Sequence, residues 1–273
     1  MTGMTGMTTT DHGVRWLLAD SWTLTQRGFA HWARNPGPII FGLLFNVLIV
    51  LMFAFLFGGA MQVPGGGDYR EFLLPGMFVM TMLFGVGMTA AAVLADVERG
   101  VTDRFRAMPM ASASVLVGRA VADLVLAAVT LVVMVLAGLA IGWSAHGSPG
   151  DTATAFALIL LLRFALIWVG VYIGLSLRGP EAMTGVQTLE FPVGFLSSAF
   201  VSPGTMPGWL GAIAEWNPLS ATSTAIRELF GNPGVTGDSW VVRHAAEMAL
   251  AWPLILLAVF LPLSVRAYRR LSR

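Results

Sequence analysis

The chain has 273 residues, of which 56% are hydrophobic and only 11% charged, with a formal net charge of +1. An ordinary soluble domain is about a quarter charged, so water is the wrong solvent for most of this polypeptide, and nothing provides the clustered cations of a nucleic-acid surface. It contains no Cys and no Lys, all 16 basic residues being Arg, which excludes disulfides, thiolate metal sites and a Walker A loop with its phosphate-binding Lys.

The first ten residues, MTGMTGMTTT, are low-complexity and read as a disordered start. They are not a signal peptide, because no basic region leads into an apolar one. From Asp11, an N-cap candidate, the segment 11–37 reads as an amphipathic helix. Val14, Leu18, Trp22, Phe29 and Trp32 share one side, with Asp20, Arg27 and Arg34 opposite. Such a helix lies in the inner membrane interface, and the N-P-G-P turn at Asn35 to Pro38 lifts the chain into the bilayer.

A hydrocarbon core of about 30 Å needs about 20 apolar helical residues. The segments 39–60, 72–95, 119–143, 153–177, 183–201 and 246–266 are expected to supply six spans within a single transmembrane domain over 38–273. The fifth carries Glu190 and Pro192 and is the weakest, yet the loop charges require it. With six spans, twelve arginines fall on one side and only Arg70, Arg227 and Arg243 on the other, with Arg163 inside a span. The excess marks the cytoplasmic side and puts both termini there. The expected fold is an all-α membrane protein.

Between spans two and three, DVERGVTDRFRAMPMASASVLVGR (96–119) is longer than a connector needs. Val101, Phe105 and Met108 form an apolar stripe at i, i+4, i+7, and Arg99, Asp103 and Arg106 a charged one, before Pro109 stops the helix. A short two-faced helix of this kind suits force transfer from a soluble partner; it equally suits a helix resting on lipid headgroups. Between spans five and six, Ser202 to His244 is too long for a loop and too polar for a span. Pro203, Pro207 and Pro218 divide it; Trp209, Ile213 and Trp216 repeat at i, i+4, i+7; Asn217-Pro218 is a good N-cap and first helical residue. Two short helices dipping into the outer leaflet fit, either as an outer gate or as a structural cap or dimer contact.

Two charges fall deep in the apolar layer, Arg163 and Glu190. They are expected either to pair or to make separate contacts with a wet path or a dimer mate. Gly138-x-x-x-Gly142 and Gly170-x-x-x-Gly174 are read as close helix packing, and Met77, Met80, Met82 and Met88 as ordinary packing or an adaptable surface. His12, His31, His146 and His244 form no metal-binding pair. Ser197 and Ser198 have no His at matching depth, so an intramembrane hydrolase cannot be assembled.

The run E-R-G-V-T-D-R-F-R-A-M-P-M followed by V-L-V-G-R-A-V-A-D resembles the cytoplasmic loop of type-2 ABC transporter permeases, most of all the DrrB-like drug-export group. The stretch from Phe191 to Ala221 is similar to that family's fifth span and re-entrant hairpin, and the N-terminal amphipathic helix to its connecting helix. The resemblance implies that the loop is a coupling helix docking on a cytosolic ATPase, carried here by Glu98, Gly100, Arg104, Phe105, Arg106, Pro109, Gly118 and Arg119. It implies an extracellular hairpin built on Pro203, Pro207, Trp209, Asn217 and Pro218. It implies a non-catalytic membrane subunit in a bacterial plasma membrane, paired with a second permease copy as homodimer or heterodimer and contacting lipid. No cofactor would bind this chain, ATP and Mg being held by the partner. The expected activity is ATP-driven export of an amphipathic or hydrophobic drug, antibiotic or lipid. A proton-coupled secondary transporter using Arg163, Glu190 or Glu247 is the competing reading.

Overall fold

The computed structural model describes residues 34, 36–58, 63, 66–100, 112–234 and 239–271. Nearly all of the expected N-terminal helix lies outside these residues, as do Arg104, Phe105, Arg106 and Pro109 of the loop after span two. The described chain forms helices and no strand: α1 (Gly37–Leu56), α2 (Tyr69–Glu98), α3 (Ser112–Ala140), α4 (Pro149–Ser176), α5 (Pro180–Phe195), α6 (Gly208–Glu215), α7 (Pro218–Phe230), α8 (Trp240–Arg243) and α9 (Ala245–Arg270).

Local chemistry sets most of these boundaries. Asp68 caps α2 by accepting from Arg70 N at 2.8 Å, and Ser148 caps α4 by accepting from Asp151 N at 3.1 Å. Gly100, at φ +64°, takes the left-handed turn that ends α2 and donates to Val97 O at 3.1 Å. Its conformation therefore closes the helix before the loop. Gly142, at φ +97°, lies just past the end of α3 with nothing packed on it. The expected Gly138-x-x-x-Gly142 packing face is thus reduced to Gly138, which meets Leu74.

Among the described residues, five helices are long and apolar enough to cross a membrane: α1, α2, α3 over Leu116–Ala140, α4 and α9. The expected span 183–201 takes a different form. Its helix, α5, has 16 residues and ends at Phe195, where the Leu196 N–H still bonds Pro192 O at 2.9 Å before the chain turns through 196–202. At 1.5 Å per residue such a helix covers about 24 Å, short of a full hydrocarbon core. It runs antiparallel to α2: Met183 packs with Ala90 and Leu94, Glu190 reaches Gly87, and Gly194 abuts Met80.

Helix α2 is the most buried of the five, with α4 laid along it, and α1 and α9 the least buried. A Cβ on Gly170 would stand 2.8 Å from Val86 O, and one on Gly174 would strike Ala90 O. These two glycines let the α4 backbone close onto α2. Met77, Met80 and Met82 are core residues, whereas Met88 is exposed. The up-and-down order puts the α1–α2, α3–α4 and α5–α9 connections, with α6 and α7, at one end of the bundle. The ends of α2, α4 and α9 gather at the other.

Candidate functional site

Three places gather polar side chains in this apolar bundle, and the first is the middle of α2. Arg163 on α4 and Glu190 on α5 are both buried, at 5% and 8% exposure. They do not form an ion pair, against one of the two expectations. Arg163 donates to Met82 O at 3.2 Å and to Thr89 Oγ1 at 3.0 Å, and Thr89 donates in turn to Asp123 Oδ2 on α3 at 2.9 Å. Glu190 instead accepts from the Gly87 backbone N–H. Gly85 and Gly87 clear the ground: a Cβ on Gly85 would lie 2.6 Å from the guanidinium, and one on Gly87 would lie 3.1 Å from the carboxylate. The geometry thus ties α4 to α3 through a hydroxyl on α2, and docks α5 two residues earlier on the same helix. Asp123 and Thr89 were missed by sequence reasoning. Asp123 lies inside the expected span 119–143, but its carboxylate was not singled out, because its partner Thr89 is on another helix.

The second place is the pair of stalks flanking the loop after α2. Arg119 and Asp96 form a salt bridge at 2.5 Å, joining the start of α3 to the end of α2. Glu98 is the exposed last residue of α2, Gly100 closes it, and Gly118 is buried on α3. Four of the eight expected coupling residues are therefore gathered where the loop leaves and re-enters the bundle.

The third is the segment between α5 and α9. Pro203 opens a 3₁₀ turn (Pro203–Thr205) and is buried, and Pro207 is the N-cap of α6. Trp209, Ile213 and Trp216 are exposed at 70%, 51% and 56%, forming one apolar ridge. Asn217 caps α7 by accepting from Leu219 N at 2.9 Å, and its amide donates to Val193 O and Leu196 O at 2.8 and 2.6 Å, with Pro218 first in the helix. That one side chain joins α7 to the end of α5. Arg227, assigned to an outer loop by sequence, is instead fully buried. Its guanidinium donates to Phe72 O at 2.9 Å, Ser198 O at 2.8 Å and Ala199 O at 3.0 Å, and lies 3.9 Å over the Phe72 ring. Two of these carbonyls lie in the turn after α5 and the third on α2, a need that hydropathy cannot reveal. The far end of α7 is fixed as well, by His146 N and Gly147 N donating to Phe230 O at 2.7 and 3.0 Å.

Residues 20–230 match the family model described as ABC-2 type transporter. The chain belongs to the ABC-2 type transporter family. Relatives agree with that membership. The chain is 33% identical over 254 residues to the daunorubicin resistance ABC transporter permease protein DrrB1 of Streptomyces coeruleorubidus, covering 92% of this chain and 87% of the other. It is 28% identical to the putative transport permease ycf38 of Porphyra purpurea, covering 77% and 73%. It is 20% identical to the probable doxorubicin resistance ABC transporter permease protein DrrC of Mycobacterium tuberculosis (strain ATCC 25618 / H37Rv), covering 79% and 78%. The ABC-2 family model spans the polar middle of α2, both stalks and the whole of α7, so all three places fall inside the family's own region.

Proposed function

We propose that this chain is the membrane subunit of an ATP-driven exporter that moves an amphipathic or hydrophobic compound, of the drug, antibiotic or lipid kind, out of the cytoplasm or inner leaflet. The observation that carries the reading is the ABC-2 match over residues 20–230, together with a relative at 33% identity named for daunorubicin resistance. The absence of Lys from the sequence supports it, since without a Walker A loop any ATP hydrolysis must be supplied by another polypeptide. That partner is a cytosolic ATPase holding ATP and Mg, and a second permease copy completes the path.

Charge supports the orientation. At the end of the bundle carrying Arg34, Arg99, Arg119, Arg178, Arg266, Arg269 and Arg270, seven arginines gather, against Arg70, Arg227 and Arg243 at the other, where Arg227 is buried. The seven-arginine end is cytoplasmic by the positive-inside rule. The progress of α5 along α2 from Leu94 to Met80 supports a sixth crossing, completed by the turn after Phe195. Glu98, Gly100, Arg104, Phe105, Arg106, Pro109, Gly118 and Arg119 then form the coupling loop. The Arg119–Asp96 bridge makes its two stalks move as one. Pro203, Pro207, Trp209, Asn217 and Pro218 form an outer gate dipping into the opposite leaflet. ATP-driven closure of two ATPases would displace the loops and rock the permeases against each other.

The test is co-purification. Co-expressed with the ATPase encoded beside it, the chain is expected to retain that subunit, and the Arg104→Glu/Arg106→Glu variant to lose it, while Arg243→Glu at the far end keeps it. Undiminished association of the double variant would remove the coupling assignment.

A further inference from the structure

At the arginine-rich end of the bundle, the last turns of α2, α4 and α9 line an open recess of about 710 Å³. Its rim carries three cations, Arg178, Arg266 and Arg270, against one carboxylate, Glu98. Below the rim the walls turn apolar, with Leu94, Leu175 and Leu263 facing inward from three different helices. Gly179, which also lines the cavity, is the N-cap of α5 and offers no side-chain acceptor to that helix's first N–H groups. The positive end of the α5 dipole is thus left beside the three arginines, with Glu181 in its first turn the nearby acid of that helix.

We propose that this recess holds an anionic phospholipid, with its phosphate among Arg178, Arg266 and Arg270 and its acyl chains against the leucine walls. The polarity gradient decides the class of ligand. A free anion would be satisfied by the rim alone and leave the apolar walls wet. An acidic protein segment would have to bury unpaired backbone against leucine. A lipid matches both halves at the depth where headgroup meets hydrocarbon, and basic pockets between spans on the cytoplasmic side are suited to such headgroups. Arg266 and Arg270 lie on one face of α9 at i, i+4, with Arg178 just beyond α4, so one bound lipid would join α4 to α9, which pack against each other. The inference rests on the bilayer placement of the bundle and not on the exporter reading, so either can fail alone.

The experiment uses the full chain in nanodiscs of phosphatidylcholine doped with phosphatidylglycerol, with bound lipid counted by native mass spectrometry. Phosphatidylglycerol should be retained over phosphatidylcholine. Arg178→Gln and Arg270→Gln should each weaken retention about fivefold, and Arg99→Gln, outside the cavity, should leave it unchanged. Arg178→Lys and Arg270→Lys keep the charge and serve where the Gln variants fold poorly; they should retain the lipid preference. Equal retention of the two lipids, retention unaffected by both Gln variants, or full displacement of the lipid by an equal concentration of inorganic phosphate would overturn the proposal.

Discussion

Arg163 and Arg227 are both buried, and the fold accommodates them differently. Arg163 sits on a long span against another, makes two hydrogen bonds, and reaches an acid, Asp123, only through the hydroxyl of Thr89. Arg227 sits on a short helix, and three carbonyls and an aromatic face hold it, with no acid in ion-pair contact among the described residues. The difference follows from the backbone each one meets. Where α5 ends inside the bundle, carbonyls lose their helical partners, and a five-donor guanidinium replaces them. Arg163 meets α2 in mid-helix, takes one carbonyl there, Met82 O, and relies on a relay that joins three helices. Arg227 fastens one irregular segment in place; Arg163 links three helices through a relay.

The largest effect should come from removing the fastening. Arg227→Ala leaves the Phe72, Ser198 and Ala199 carbonyls without that donor, and hydrogen bonds to a charged group are worth about 1.5–3 kcal/mol each. A loss of roughly 3 kcal/mol or more is expected, read as a lower melting temperature and poorer yield in detergent. Arg227→Lys should recover only part, since an ammonium lacks the planar fork. Melting unchanged in Arg227→Ala would mean the three carbonyls are satisfied otherwise.

The relay should give the next largest effect. In a double-mutant cycle, Arg163→Met and Asp123→Asn are expected to show coupling of about 1 kcal/mol, which Thr89→Val abolishes. Arg163→Met and Glu190→Gln should be additive to within about 0.5 kcal/mol. Stronger coupling to Glu190 than to Asp123 would restore the direct pair that the geometry denies.

The smallest effect concerns Glu228, one residue beyond Arg227 and only partly covered by its neighbours. Partial burial, and then the nearby Glu247 carboxylate, raise its pKa above the ordinary glutamate value. A carboxyl raised in the fold is favoured there in its protonated form. Its ionisation therefore costs stability as pH rises above about 4.3, its unfolded value, and through the raised one. Glu228→Gln should give a slight gain in melting temperature near pH 7 that disappears near pH 4. A gain at pH 4 equal to that at pH 7 would contradict the sign.

Hydropathy and helix-end chemistry made the scaffold legible. The five strongest runs coincide with the five long helices, and Asn217-Pro218 marked the start of α7 to the residue. What escaped depended on tertiary neighbours. Asp123 fell inside the expected span 119–143 without being singled out, because its partner, Thr89, comes from another helix. Arg227 looked like a loop charge because the carbonyls it serves come from 28, 29 and 155 residues away. Gly142 imitated a packing motif by spacing, yet it lies just past the end of α3. Arg163 and Glu190 were recognisable as buried charges, but their partners were set by two glycines on α2 that spacing cannot rank.

The most direct test of the whole account exploits the absence of native cysteine. Single cysteines placed in turn at 99–108, and at Trp209 and Ser144 as controls from the other end, would carry a short crosslinker in membranes that also contain the ATPase. The account predicts capture of the ATPase from positions in 99–108, altered when ATP is added, and none from 209 or 144. Capture from 209 or 144, or none from any position in 99–108 while the two proteins still co-purify, would contradict it.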